Sequence, residues 1–180
     1  MRTHVALLRG VNVGGRNRVP MADLRRLVAE LGCRDVATYV QSGNVVFSAG
    51  DADAGRLAQA LERAIAEQLH VRTRVVILSR DELARVVAEN PFPDETNPKA
   101  LHAVLSGEDP SEEVLERIAS AERRARAKGG RDEARVVGRT LYLRTPDGLG
   151  NSELAAQLTR TETGTARNWA TVTNLLALLN

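Results

Sequence analysis

The chain has 180 residues, of which 43% are hydrophobic and 27% are charged, a composition typical of one globular domain or of two small halves. Its 25 basic and 23 acidic residues give a formal charge of only +2, so the overall charge indicates no class of partner. The single cysteine excludes an internal disulfide framework. No apolar run has the roughly 20 residues of a membrane span, and no signal-peptide pattern opens the sequence. We therefore expect a cytoplasmic protein without a membrane partner.

The first half of the chain alternates between strand and helix patterns. Its strands are short β-rich runs, and its helices carry apolar residues at intervals of three and four. Pro20 suits the first turn of a helix, and Gly32 suits the end of one. The predicted elements are a strand over 3–9, a helix after Pro20, a hairpin of 36–40 and 45–47, a helix around 57–65 and a strand over 72–78.

The second half partly repeats this order. The segment from Ser79 to Glu82 predicts a capped helix that ends at the break 90–93. After it come a strand over 100–105, a helix over 111–125, a hairpin of 135–138 and 140–144, and helices near 152–158 and 168–179.

These element orders predict an α+β fold of two ferredoxin-like, split β-α-β halves that share a core. Residues 1–90 are predicted to form a β-α-β-β-α-β half with a linking helix. Residues 91–180 are predicted to form a β-α-β-β-α-α half. For the C-terminal helix, the spacing predicts a buried face of Trp169, Val172, Leu176 and Leu179.

A candidate ligand site follows from this topology. In a split β-α-β arrangement the first strand-to-helix loop and the hairpin turn emerge at the same end of the sheet. Here the loop contributes glycines and arginines, and the turn contributes polar side chains. Free backbone N–H groups, a helix N-terminus and guanidinium groups all favour an anion. The candidate ligand-binding residues are Arg9, Gly10, Asn12, Gly14, Gly15, Arg16, Asn17, Arg18, Gln41, Ser42 and Asn44.

Known phosphate-binding motifs do not fit this loop, and the histidines and the cysteine elsewhere in the sequence do not form a metal-binding pattern. GVNVGGRN has the glycine spacing of a P-loop, but Arg16 replaces its lysine and Asn17 replaces its Ser or Thr. The glycines do not match the dinucleotide fingerprint either. The alternative to an anion site is that they only allow the backbone of a tight connection. The three histidines have no metal-ligand spacing, and Cys33 suits a small buried residue. We therefore expect no metal and no cofactor.

Four motifs in order resemble a known family over essentially the whole chain: LLRGVNVGGRNRVPM, YVQSGNVVF, the NPF break and TARNWATVTNLLAL. They are similar to those of the bacterial domain of unknown function 1697. The resemblance implies a two-part α+β protein and brings no activity or catalytic residues. Arg16 and Arg18 stand where many relatives have lysines, so the positive charge is kept.

Three functions remain open at this point. The first is a binding module for a phosphate-bearing ligand, a nucleotide or a nucleic-acid end, at the glycine-rich loop. Seven arginines against three carboxylates within residues 1–48 favour it. The second is a metal-independent enzyme at the same place, for which Asp23 or Glu153 could be brought near by folding. The third is a protein-interaction or oligomer scaffold. The sequence decides neither whether a reaction is catalysed nor the oligomeric state.

Overall fold

The computed structural model describes residues 1–50, 52–158 and 164–180 and divides into two compact units. The first unit comprises residues 1–85 and 174–180, and the second comprises residues 86–173. Each unit contains one four-stranded antiparallel sheet with helices, so the predicted α+β class is confirmed. Within the described ranges, no helix is long and apolar enough to cross a bilayer. The boundary at residue 90 stays a prediction.

The sheet of the first unit has the strand order β2-β3-β1-β4, with every neighbouring pair antiparallel. This is the strand order of a split β-α-β arrangement, because β3 lies between β1 and β2. The elements are β1 (His4–Leu8), α1 (Met21–Glu30), β2 (Arg34–Tyr39), β3 (Asn44–Ser48), α2 (Ala54–Leu69), β4 (Val75–Ser79) and α3 (Arg80–Ala88), the last running on into the second unit.

The core of this unit forms where the buried face of α1 packs against one face of the sheet. Helix α1 buries residues at intervals of three and four, among them Leu24, Leu27 and Val28, and packs them against alternate residues of the strands. Cys33 belongs to the same cluster and is 7% exposed. Burial raises the pKa of its thiol, which keeps it protonated, as expected of a structural cysteine rather than a nucleophile.

The helix α3 begins with the predicted cap. The backbone N–H of Ser79 donates to Glu82 Oε2 at 2.8 Å, and the N–H of Glu82 donates to Ser79 Oγ at 3.2 Å. These reciprocal bonds form a capping box, which satisfies two N–H groups that the helix itself leaves without acceptors.

The sheet of the second unit has the order β6-β7-β5-β8, again with antiparallel neighbours. Its elements are β5 (Leu101–Ser106), α4 (Glu112–Ala127), β6 (Glu133–Val137), β7 (Thr140–Arg144), α5 (Glu153–Leu158), β8 (Gly164–Asn168) and α6 (Trp169–Leu178), with a short 3₁₀ turn, Leu149–Asn151, before α5.

Strand β8 corrects the predicted β-α-β-β-α-α order of the second half, which becomes β-α-β-β-α-β-α. Its sequence GTARN has no run of β-branched or alternating apolar residues that would predict a strand. The strand exists because it pairs with β5, where Ala103 lies opposite Arg167. Because the paired residues are about 60 positions apart in the chain, this pairing leaves no local pattern in the sequence.

The buried face of α6 also differs from the prediction. Val172, Leu175 and Leu179 are buried, whereas Leu176 is half-buried. Trp169 is half-buried, and its ring centroid lies 6.2 Å from that of Tyr142. The tyrosine hydroxyl donates to the carbonyl of Val86 at 2.7 Å, and burial raises its pKa to about 12.

The burial of His102 predicts that the folded protein is less stable at acidic pH. Its Nδ1 is buried with no hydrogen-bond partner among the described residues, and burial lowers the pKa of the ring below 6.5. The unfolded chain therefore binds a proton that the folded protein resists, and the free energy of unfolding should fall as the pH decreases through and below about 6.5. Urea unfolding between pH 7.5 and 5 should show a shallower decline for His102→Leu. An unchanged pH dependence in this variant would contradict the assignment. His4, whose pKa is also lowered by burial, contributes in the same direction.

Candidate functional site

The loop after β1 and the turn between β2 and β3 lie together at one end of the first sheet. The N–H of Leu8 donates to the carbonyl of Gly43 at 2.8 Å, and Asn12 Nδ2 donates to the carbonyl of Gln41 at 2.7 Å. The antiparallel register, in which Leu7 faces Asn44, carries both segments to this end. The juxtaposition that topology predicted is therefore present in the fold.

Asn12 holds the loop in shape. Its Oδ1 accepts the N–H of Val19 at 2.8 Å. Its Nδ2 donates to the carbonyl of Val19 at 2.9 Å and to the carbonyl of Gln41. The amide thereby joins the two ends of the loop to each other and to the hairpin. With these three bonds the side chain is committed to the fold, so its role is to position the loop.

The tip of the loop is a tight turn over residues 13–16. The N–H of Arg16 donates to the carbonyl of Val13 at 3.1 Å, and Gly14 and Gly15 between them have φ angles of +58° and +74°. A turn with two positive φ angles in its centre favours glycine at both positions. Among the described residues, the N–H groups of these two glycines have no acceptor, so they are available at the surface.

The side chains of two further predicted site residues form hydrogen bonds within the loop and the hairpin. Asn17 Nδ2 donates to the carbonyl of Gly10 at 3.1 Å. Asn44 is 0% exposed, and its Nδ2 donates to the carbonyl of Tyr39 at 3.1 Å and to Ser42 Oγ at 2.9 Å. The hairpin encloses the side chain of Asn44, which stabilises the turn, and its assignment as a ligand-binding residue stays a prediction. Gln41 and Ser42 are exposed beside it.

The two arginines at the tip of the loop have no acidic partner among the described residues. Arg16 and Arg18 are exposed, and neither forms an ion pair or a side-chain hydrogen bond with any residue that the structure describes. Arg9 is half-buried; its N–H donates to the carbonyl of Arg74 at 2.9 Å.

Sequence reasoning missed two arginines of this site. Strand β4 is antiparallel to β1, so it starts where β1 ends and carries Arg72 and Arg74, both exposed, to the same place. Thr73 ties this segment to β1, since its hydroxyl donates to the carbonyl of Arg9 at 2.8 Å. The triplet RTR before a predicted strand was the available indication. We call Arg9, Arg16, Arg18, Arg72 and Arg74 the basic end.

Among the described residues, the acidic groups Glu62 and Asp23 near the basic end already have partners. Glu62 accepts the N–H of Val75 at 2.8 Å and lies 3.7 Å from the guanidinium of Arg74. Asp23 stands in the first turn of α1, where its charge already compensates the helix dipole, and it lies 3.7 Å from Arg26. The guanidinium groups are therefore the main attraction for an anion. Within the described part of the chain, no group of His, Cys, Asp and Glu side chains could hold a metal ion.

Comparison with known proteins places the whole chain in one structural class. No curated protein matches it. A solved structure, that of the conserved bacterial protein SP0830 from Streptococcus pneumoniae, superposes with a TM-score of 0.73 at 20% sequence identity and covers 99% of each chain. At this identity the likeness concerns the fold. A family model described as protein of unknown function (DUF1697) matches residues 1–142, and the chain therefore belongs to that family.

Proposed function

We propose that the protein is a cytosolic binding module for a phosphate-bearing ligand, a nucleotide or the end of a nucleic acid, which binds at the basic end. The observation that carries the proposal is the gathering of five arginines at one end of one sheet. Among the described residues, their one ion pair is the 3.7 Å contact of Arg74 with Glu62. That contact leaves most of the local positive charge without a counter-charge from the part of the chain that the structure describes.

The geometry of the loop supports a phosphate in particular. Guanidinium groups present paired N–H donors that match phosphate oxygens, and the free N–H groups of Gly14 and Gly15 add neutral donors beside them. The bonds of Asn12 fix the loop before a ligand arrives, so little conformational entropy is lost on binding.

Charge reversal in the loop tests the proposal. The double variant Arg16→Glu, Arg18→Glu should weaken binding of a 5′-phosphorylated single-stranded oligonucleotide by more than about 100-fold, because two charge-assisted hydrogen bonds of about 1.5 kcal/mol each become repulsions. Its free energy of unfolding should change by less than about 1 kcal/mol, since both side chains are exposed. Fluorescence anisotropy and urea unfolding measure the two quantities.

The matched control is Arg117→Glu, Arg123→Glu, which makes the same change of net charge on the exposed face of α4. This control should bind the oligonucleotide within about threefold of the unmodified protein at 0.15 M salt, where charges farther apart than about 8 Å are largely screened. The affinity of the unmodified protein should fall with added salt. A 5′-hydroxyl oligonucleotide of the same sequence should bind more weakly if the terminal phosphate is recognised. Equal losses in both double variants would overturn the proposed location.

A further inference from the structure

The second unit contains a cavity at the position that corresponds to the basic end of the first. It has a volume of about 270 Å³ and is bounded by the end of β5, the start of α4 and the turn between β6 and β7. In the first unit the equivalent boundaries are the end of β1, the start of α1 and the turn between β2 and β3. The two units share one strand order, but the end that carries the arginines in the first unit has a cavity in the second.

Loop length explains why this place is open in one unit. Twelve residues connect β1 to α1, and two of them, Val11 and Val19, are 2% and 0% exposed within the first core. Only five residues, 107–111, connect β5 to α4, and they are Gly-Glu-Asp-Pro-Ser. The short connection carries no large apolar side chain that could fill the space.

The walls of the cavity are mainly aliphatic. Strand and helix residues on the α4 side of the sheet form them: Val104, Val114, Ile118, Val136 and Leu141. Surfaces of this kind favour an apolar body, whose transfer from water contributes about 25 cal/mol per Å² of apolar area buried. Ser111, whose hydroxyl oxygen accepts the N–H of Val114 at 3.3 Å, also lines the cavity at the start of α4.

Charge at the edge of the cavity selects the polar end of a ligand. Glu108 and Asp109 both line it and are exposed, and Glu112 and Glu113 follow in the first turn of α4. Glu112 and Glu113 compensate the helix dipole there, so the charge at the cavity itself is that of the two lining carboxylates. Against these two, the lining cation among the described residues is Arg139, whose Nη1 donates to the carbonyl of Gly107 at 2.9 Å. The excess of carboxylates disfavours an anion and favours a protonated amine.

Size completes the description of the ligand. An apolar protein cavity of about 150 Å³ holds one benzene ring, so a volume of about 270 Å³ suits roughly ten to twelve non-hydrogen atoms. We propose that this cavity binds a small arylalkylamine, with its ring among the aliphatic walls and its ammonium group at Glu108 and Asp109. The site is separate in chemistry from the basic end, and it does not depend on the function proposed there.

Three probes with one indole ring separate charge from shape: tryptamine, which is cationic, tryptophol, which is neutral, and indole-3-acetate, which is anionic. Titrations followed by ¹H–¹⁵N NMR should show saturable binding. The affinity should be highest for tryptamine, lower for tryptophol and lowest for indole-3-acetate. The shifted amides should cluster at β5, at the start of α4 and at the β6–β7 turn. Glu108→Gln, Asp109→Asn should weaken tryptamine about two- to fivefold and leave tryptophol unchanged, as expected for exposed charges.

A pair of helix variants tests the location. Val114→Trp places a ring in the cavity and should abolish binding of all three probes, whereas Leu115→Trp, at a position that is 42% exposed and does not line the cavity, should bind them like the unmodified protein. The amide shifts of the unmodified protein keep the proposal testable if Val114→Trp does not fold. Absence of saturable binding, shifts elsewhere in the chain, or tightest binding of indole-3-acetate would each overturn it.

Discussion

Replacing Gly43 with alanine should lower the free energy of unfolding by about 3 kcal/mol. A Cβ at this position would lie 2.6 Å from Val11 Cγ2 and 2.8 Å from Leu8 Cβ, both in the packed core of the first unit. The φ angle of +76° adds a backbone strain of about 1–2 kcal/mol, and overpacking adds about 1–3 kcal/mol. Urea unfolding measures the total.

Gly14→Ala separates the two contributions. Gly14 has a φ of +58°, but a Cβ there would meet no atom within 4 Å, so the variant carries the backbone strain alone. We expect it to lose about 1 kcal/mol. Equal losses in the two variants would contradict the close approach of the hairpin turn to Leu8 and Val11 at Gly43.

Asn12→Ala should cost about 3 kcal/mol, an effect of similar size from a different cause. The change removes three hydrogen bonds and leaves the N–H and the carbonyl of Val19, a residue that is 0% exposed, without their side-chain partner. An unsatisfied group of this kind costs about 1–3 kcal/mol. Alanine also tolerates the φ of +56° at this position less well than asparagine does.

Two variants calibrate this result in the same urea assay. Asn12→Asp retains an acceptor for the N–H of Val19 but loses both donated bonds, so its loss should also be large. Asn17 has a similar φ of +49°, so Asn17→Ala carries the same backbone cost but removes only one bond of 3.1 Å at an exposed position. The lost bond should cost only about 0.5–1.5 kcal/mol. If Asn12→Ala were no more harmful than Asn17→Ala, the central role of Asn12 in the loop would be contradicted.

These variants also connect stability with the proposed function. Asn12→Ala leaves all five arginines of the basic end in place, so any loss of oligonucleotide affinity would measure how much the ordered loop contributes. The double charge reversal in the loop does the opposite, because it changes charge and leaves the frame intact. Together the two experiments distinguish a site that depends on preorganisation from one that depends on charge alone.

Local patterns in the sequence determined most of the secondary structure. The apolar spacing of α1, the capping box of α3 and the hairpin around Gly43 each depend on residues within a few positions of one another, and each is present in the fold. The meeting of the first loop with the hairpin was also predictable, because antiparallel neighbours in a split β-α-β sheet permit few arrangements.

Tertiary structure alone decided which residues of the site are free and which are committed. Asn12 of the first loop and Asn44 of the hairpin turn are both polar candidates in the sequence, but hydrogen bonds make the two asparagines parts of the frame. Strand β8, the arrival of Arg72 and Arg74 beside Arg9, and the open cavity of the second unit depend on pairing between segments far apart in the chain. Such partners leave no periodic trace in a single sequence, because strand pairing and cavity volume are properties of the assembled fold.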